Sequence, residues 1–175
     1  TTMVKAPDQS ASTAGSPAPG AAAARRRAAR LFAVQALYQM ELAGIGVDQV
    51  IGEFTDHRLD HEIDGVRYAA AEMAMFADLV KGVTANRGNL DDMITAVLTE
   101  DWTVQRLDVV LRAILRAGAY ELSSRLDVPP RVTISEYVAI ADAFFSGKEI
   151  ALVNGLLDRL AHELRPHELG KPSGD

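Results

Sequence analysis

The 175-residue sequence contains no cysteine and a single tryptophan, and aromatic residues make up only 6% of it. The lack of cysteine excludes disulfides, thiolate metal sites and a cysteine nucleophile. No apolar run approaches the length that crosses a bilayer. The alanines at 21–24 form too short and too weakly apolar a stretch for the core of a signal peptide. These absences predict a cytoplasmic protein with no membrane segment.

Patterns typical of enzymes and metalloproteins are also missing. No glycine-rich loop follows a strand, so neither a P-loop nor a dinucleotide site is predicted. His57 and His61 have the i, i+4 spacing of a helical metal pair, but they lie in a charged segment without a third ligand at a recognisable spacing. We therefore expect no catalytic residues, no metal, no cofactor and no enzymatic activity.

Helical periodicity extends over most of the chain, and Val132-Thr133-Ile134 is the only strand-like run. The pattern predicts a compact all-α fold of about seven helices with short connections. Asn89 and Thr103 are predicted to cap helices four and five, and residues 55–65 are predicted to form a polar loop. The seven helices are predicted over about residues 22–43, 48–54, 67–85, 89–98, 103–124, 134–145 and 150–164.

Composition divides the chain into three parts. Residues 1–24 combine proline and glycine with alanine, serine and threonine, a composition that cannot bury enough apolar surface to fold, and they are predicted to be a disordered tail. Residues 25–168 are long enough for one domain with a sizeable core. Residues 169–175 are predicted to be a flexible C-terminus.

Positive charge is concentrated where the first helix begins. Residues 1–30 contain Lys5, Asp8 and four arginines, which gives a net charge of +4, whereas the whole chain carries −6. The arginines are Arg25, Arg26, Arg27 and Arg30. Cations at a helix N-terminus oppose the helix dipole, so they require another explanation. A local basic site on an acidic body predicts a small, oriented contact with nucleic acid.

Three features have two interpretations each. Tyr38 is either a core residue of the first helix or an exposed contact for a partner. Trp102 either packs onto the fifth helix, as a hydrophobic residue before a helix start does, or stacks on a nucleic-acid base. Asn154-Gly155 either allows close helix packing, which the pattern favours, or contacts RNA through its backbone.

The order and spacing of several segments resemble the NusB family of bacterial transcription antitermination factors. The resemblance covers about residues 25–165, and each motif is weak alone but the series is specific. The motifs are Arg25–Gln39, Leu79–Val83, Ala113–Leu122, Asp127–Pro129, Ile134–Ala141 and Val153–Asp158. The family fold is all-α, with two packed helical bundles, so the resemblance implies a NusB-like RNA-binding domain over residues 25–168.

The resemblance also implies a function. Family members bind single-stranded boxA RNA of nascent transcripts together with NusE, a small-subunit ribosomal protein. The pair joins NusA, NusG and RNA polymerase in a complex that suppresses premature termination, notably on ribosomal RNA operons. Other members form homodimers, and NusB-like domains also occur as accessory modules of RNA methyltransferases. A homodimeric adaptor and a methyltransferase module are therefore the alternative functions.

Site residues follow from the resemblance by position. The implied RNA surface contains the arginines Arg25, Arg26, Arg27 and Arg30, and beside them the loop before the last helix with Lys148 and Leu152. The implied NusE surface contains Tyr38, Leu111 and Arg112. Some members have an acid at position 148 and a phenylalanine at position 152. Because leucine cannot stack on a base as an aromatic ring can, Lys148 is expected to compensate through phosphate contact.

Overall fold

The computed structural model describes residues 20–59, 70–99 and 101–169. These residues form seven α-helices and no strand, which confirms the predicted all-α fold. A five-residue π-helix, Thr55–Leu59, follows the second helix, and a short 3₁₀ helix, Val104–Arg106, precedes the fifth. The helices are α1 (Ala21–Ala43), α2 (Val47–Phe54), α3 (Ala70–Ala85), α4 (Arg87–Val97), α5 (Val109–Ser124), α6 (Pro130–Phe144) and α7 (Lys148–Leu164).

Helix α5 is the centre of the molecule. Every residue from Ala113 to Leu122 is buried, because α1 and α3 pack against one side of α5 and α4, α6 and α7 pack against the rest. The two groups, α1–α3 and α4–α7, match the two helical bundles that the resemblance implies. A helix buried on all sides can also bring charged side chains from different helices together in the interior.

Helix α1 packs through small side chains. Ala29, Ala33 and Ala36 are fully buried, so α1 can approach α3 and α5 closely. The helix ends at Gly44, whose φ of 67° is the left-handed conformation and whose N–H donates to the Met40 carbonyl. The helical spacing of apolar residues in α1 predicts Leu42 in the core, but Leu42 is 59% exposed because the buried stripe of the helix follows the alanines.

Two predicted caps are wrong for local reasons. Helix α5 is capped by Asp108, whose carboxylate accepts hydrogen bonds from the backbone N–H groups of Val110 and Leu111. Thr103 instead precedes the 3₁₀ helix, so the predicted single helix from residue 103 is divided. Asn89 lies inside α4, which begins at Arg87.

Helix α6 begins four residues earlier than predicted. Pro130 occupies its first turn, where a missing N–H costs nothing and the fixed φ suits a helix. The strand-like run at residues 132–134 is therefore helical, because β propensity in three residues is weaker than the packing of α6 on α5 and α7. The predicted loop at 55–65 also begins as a π-helix, and its residues 60–65 lie outside the described residues.

Two glycines in the motif segments are explained by close packing. A Cβ at Gly82 on α3 would lie 2.1 Å from the Tyr120 ring, and a Cβ at Gly118 on α5 would lie 2.8 Å from a methyl group of Leu157. Gly155 differs, since nothing lies within 4 Å of its Cβ position. The packing interpretation of Asn154-Gly155 is therefore wrong.

The folded region is longer at both ends than the predicted domain of residues 25–168. Leu169 was assigned to the flexible C-terminus, but its side chain is buried and its carbonyl accepts a hydrogen bond from Arg131 at 2.9 Å. The packed region therefore extends to residue 169. At the other end α1 begins at Ala21, inside the predicted tail, and residues 1–19 lie outside the described part of the chain.

Candidate nucleic-acid interface

The arginine cluster occupies the first three turns of α1, and most of its charge is paired with carboxylates of other helices. Helix α1 has no acidic residue in its first turn and no side-chain cap, so its N-terminus gives these cations no local compensation. The compensation comes from Glu72 on α3, Glu121 on α5 and Glu136 on α6.

Arg30 is an interior residue. Its Nε and Nη2 donate to the two carboxylate oxygens of Glu121 at 2.9 and 3.0 Å, and the residue is only 2% exposed. The Tyr137 hydroxyl donates to the same carboxylate. The expectation that Arg30 contacts RNA is therefore wrong for this conformation, because its guanidinium is buried and its donors are directed at Glu121.

Arg27 lies at the surface and is held by Glu136. Its Nε and Nη2 donate to the two oxygens of that carboxylate at 2.9 and 3.1 Å, while its side chain is 61% exposed. The hydrogen bond from Arg27 lowers the pKa of Glu136, against a smaller opposing effect of partial burial. An incoming phosphate would have to compete with Glu136 for this guanidinium.

Arg25 and Arg26 complete the cluster. Arg25 is a partly buried residue whose Nε lies 3.5 Å from a Glu72 oxygen. Arg26 is exposed, and within the described residues no carboxylate lies at salt-bridge distance from it. Arg26 and Arg27 are thus the two members of the cluster that face solvent.

Lys148 and Leu152 lie at the other end of the fold. Lys148 is exposed at the start of α7, and both residues line a depression with Asp108 and Leu111 of the α5 N-terminus. Glu121, which binds Arg30, lies 13 residues further along α5, about 20 Å at 1.5 Å per residue. The resemblance implied that this loop lies beside the arginine cluster, but the structure separates them, because α1 runs antiparallel to α5.

Tyr38 lies on the surface of α1, which favours the partner interpretation over the core one. The residue is 38% exposed and lines an apolar groove of about 530 Å³. The groove also includes exposed Leu42 and Phe144, at the C-terminal ends of α1 and α6. Sequence reasoning missed Phe144, although the pair Phe144-Phe145 at a helix end was a usable signal, since adjacent helical side chains point in different directions.

The other two predicted partner residues have structural roles. Leu111 is 4% exposed in the core. Arg112 donates to Glu41 and to the backbone carbonyls of Gln105 and Leu107, so it joins α1 to the segment before α5. Leu111 is therefore unavailable to a partner in this conformation, and Arg112 is engaged within the fold.

The described residues offer neither a membrane-spanning helix nor a metal-binding cluster. Across the described ranges, no helix is long and apolar enough to cross a membrane. The same residues contain no group of three or more side chains suited to hold a metal ion, and His61 lies outside them.

Fold and surface together define an all-α protein with a basic edge at the start of its first helix and an apolar groove near the end of that helix. The family model described as "NusB family" matches residues 27–162. The chain belongs to the NusB family.

Individual relatives agree with this assignment. A protein of Rhodopseudomonas palustris named transcription antitermination protein NusB is 48% identical over 147 residues, which cover 84% of this chain and 87% of that protein. The protein of the same name from Caulobacter vibrioides is 51% identical over 140 residues, covering 80% of this chain and 94% of its own.

Solved structures share the fold. The NusB structure of T. maritima superposes with a TM-score of 0.70 at 32% identity, covering 82% of this chain and 96% of that one. A structure described as antitermination factors NusB and NusE in complex with dsRNA superposes with a TM-score of 0.65 at 24% identity, covering 80% and 98%.

Proposed function

We propose that this protein is a transcription antitermination factor. It binds single-stranded boxA RNA in nascent ribosomal RNA transcripts together with NusE, as part of a complex with NusA, NusG and RNA polymerase. Family membership and the names of the close relatives support the antitermination role. The structure of NusB and NusE with dsRNA has the same fold and supports RNA and NusE as the two kinds of partner.

One observation carries the proposal: Arg27 and Tyr38 lie on the same face of α1. They are 11 residues apart, which is close to three full turns and about 16 Å. The exposed basic end can therefore hold a polyanion while the Tyr38 groove holds a protein on the same side of the molecule. Such an arrangement suits a factor that binds an RNA and a protein together.

The RNA site in this proposal consists of Arg26 and Arg27, with Arg25 as a partly buried neighbour. Arg30 has a different task, because its pair with Glu121 fixes α1 on α5 and so determines where the exposed arginines lie. Lys148 and Leu152 form a second contact region, which lies about 20 Å along α5 from the Arg30–Glu121 pair. An RNA that reaches both regions must extend over several nucleotides.

The test is a binding titration of the chain, with and without NusE, against boxA RNA and a scrambled RNA of equal length. Wild-type protein should bind boxA RNA more tightly, and NusE should strengthen that binding. The double variant Arg26→Ala, Arg27→Ala should bind weakly and show a salt slope smaller by about 0.7 for each lost phosphate contact.

Arg87→Ala is the matched control for the lost positive charge. Arg87 is an exposed arginine on α4 and, within the described chain, has no carboxylate at salt-bridge distance. Equal affinity of wild type and the double variant would contradict the proposed site. Sizing chromatography with and without RNA distinguishes the proposed function from that of a homodimeric adaptor. Such an adaptor would elute as a dimer in both cases and would not bind the RNA.

A further inference from the structure

Trp102 is a large aromatic residue that the fold leaves at the surface. It lies in the connection between α4 and α5, where its backbone N–H donates to the Thr99 carbonyl at 2.9 Å. The residue is 46% exposed. The cap at Asp108 starts α5 six residues later, so Trp102 does not serve as the hydrophobic residue directly before that helix. Its exposure therefore needs another explanation.

Two depressions flank Trp102. One, of about 280 Å³, lies against the end of α4 and the middle of α7 and includes Arg159. The other, of about 410 Å³, lies against the starts of α5 and α7 and includes Arg106 and Lys148. Trp102 and Leu152 line both depressions. An exposed aromatic ring that borders two depressions has room beside it for a stacked base.

Among the described residues, the basic side chains around Trp102 form no ion pairs. Within the described residues, Arg106, Lys148 and Arg159 have no carboxylate at salt-bridge distance, although Arg159 donates to the Val97 carbonyl. The arginine cluster of α1 differs, since three of its four members are paired. The surroundings of Trp102 are therefore free to attract an anion even though the whole chain carries −6.

Two acidic residues line the depression that includes Arg106 and Lys148, and their positions limit their effect. Asp108 accepts hydrogen bonds from the first turn of α5 and so is directed at backbone N–H groups. Glu149 lies in the first turn of α7, where the helix dipole favours a negative charge. Neither acid is paired with Arg106 or Lys148.

We propose that Trp102 stacks on an unpaired base of single-stranded RNA and that Arg106 and Lys148 bind the phosphates on either side of that base. Aromatic side chains flanked by cations recognise single strands in this way, with little sequence preference. The inference rests on the proposed RNA binding and extends it by a contact that lies about 20 Å from the arginine cluster along α5. Trp102, which lines the same depressions as Leu152, thus supplies the aromatic ring that some other family members have at position 152.

The single tryptophan makes the proposal directly measurable. Emission of the full chain on titration with single-stranded boxA RNA reports on Trp102 alone, because the sequence has no other tryptophan. Stacking should quench this emission, and the quenching should saturate at the same dissociation constant that the anisotropy of labelled RNA gives. A merely structural tryptophan, distant from the RNA, would leave the emission unchanged.

Variants separate stacking from packing. Trp102→Ala should weaken RNA binding by about fivefold or more, which is the lower end for loss of one stacked base. Trp102→Phe should recover most of that loss, since a smaller ring can still stack. Arg106→Ala and Lys148→Ala should each reduce the salt slope by about 0.7. Leu126→Ala is the control, because Leu126 is 64% exposed and lies beyond the other end of α5.

The results distinguish failure of the Trp102 stacking site from failure of the proposed RNA-binding function. If wild type binds RNA but its emission does not change and Trp102→Ala binds equally well, the Trp102 site is wrong while the proposed function stands. If Trp102→Ala loses binding to NusE alone, the surface is a protein contact and the inference is again overturned. If wild type binds no RNA, both fail. Circular dichroism melting of each variant checks that the fold is retained.

Discussion

The guanidinium of Arg30 and the carboxylate of Glu121 form a two-hydrogen-bond ion pair in the protein interior, between residues 91 positions apart in the chain. Glu121 is completely buried, and it also accepts a hydrogen bond from the Tyr137 hydroxyl. This pair joins α1, α5 and α6 at one point. The helix that carries the basic edge is therefore fixed in place by one of its own arginines.

Arg30→Ala should destabilise the protein strongly. Removing one partner leaves a buried carboxylate without its counter-charge, which costs about 3–5 kcal/mol in comparable interior pairs. The free energy of unfolding in urea measures the effect, and Arg26→Ala, an exposed arginine on the same helix, should change it by less than about 0.5 kcal/mol. Equal effects of the two substitutions would show that Arg30 is not held as the structure describes.

Glu136→Gln should increase RNA affinity by about two- to fivefold, as expected when an exposed ion pair of about 0.5–1 kcal/mol no longer competes with phosphate. The neutral side chain releases Arg27, whose donors can then turn to the RNA. The measurement is the dissociation constant for boxA RNA at fixed salt. Asp142→Asn is the control, because it removes an exposed acid from the same helix without releasing an arginine. If Asp142→Asn increased RNA affinity as much as Glu136→Gln does, the gain would come from the change in overall charge and not from Arg27.

The same pair predicts a dependence of stability on pH. Because the hydrogen bond from Arg27 lowers the pKa of Glu136 in the folded protein, the unfolded chain takes up this proton first as the pH falls. The stabilisation by the pair is complete above the ordinary carboxyl pKa of about 4.3 and is lost as the pH falls through the lowered value. Glu136→Gln should lack this contribution, so the wild-type advantage in unfolding free energy should shrink between pH 7 and acid.

Tyr38→Asp should weaken binding of NusE by about tenfold or more while the domain stays folded. A charge placed in an apolar groove is desolvated when the partner binds, and residues at the centre of an interface carry most of its energy. Calorimetry with purified NusE measures the affinity. Leu164→Asp is the control, since Leu164 is 41% exposed on α7, outside this groove. Unfolding of Tyr38→Asp, or a loss equal to that of the control, would count against the surface.

Gly82→Ala should destabilise the protein, although alanine favours helices. The added methyl group would lie 2.1 Å from the Tyr120 ring, and moving that ring disturbs its hydroxyl bond to Asp78 at 2.9 Å. Overpacking of this kind costs about 1–3 kcal/mol. Gly155→Ala is the matched helical glycine with open space, and it should stabilise by about 0.4–1 kcal/mol. Thermal melting that shifts both variants in the same direction would contradict the packing at Gly82.

The interval between apolar residues was enough to predict seven helices and an all-α fold, because helix formation depends on neighbours three and four positions away. The ends of helices were predicted less well. Thr103 and Asn89 have the right chemistry for caps, yet Asp108 and residue 87 mark the true starts. Several residues near a helix start can accept the hydrogen bonds of a cap. The path of the preceding segment over the core decides which of them is placed at the helix start.

The sequence also located the basic edge and identified the family, since both depend on which residues are present and in what order. It could not distinguish the four arginines from one another. Arg27 meets Glu136 from 109 positions away, and Arg30 meets Glu121 from 91, so the exposure of each guanidinium follows from how α5 and α6 pack against α1. The same packing separates Lys148 from the arginine cluster. Because α1 and α5 are antiparallel, the start of α1 lies beside the end of α5, whereas Lys148 and Trp102 lie near the start of α5.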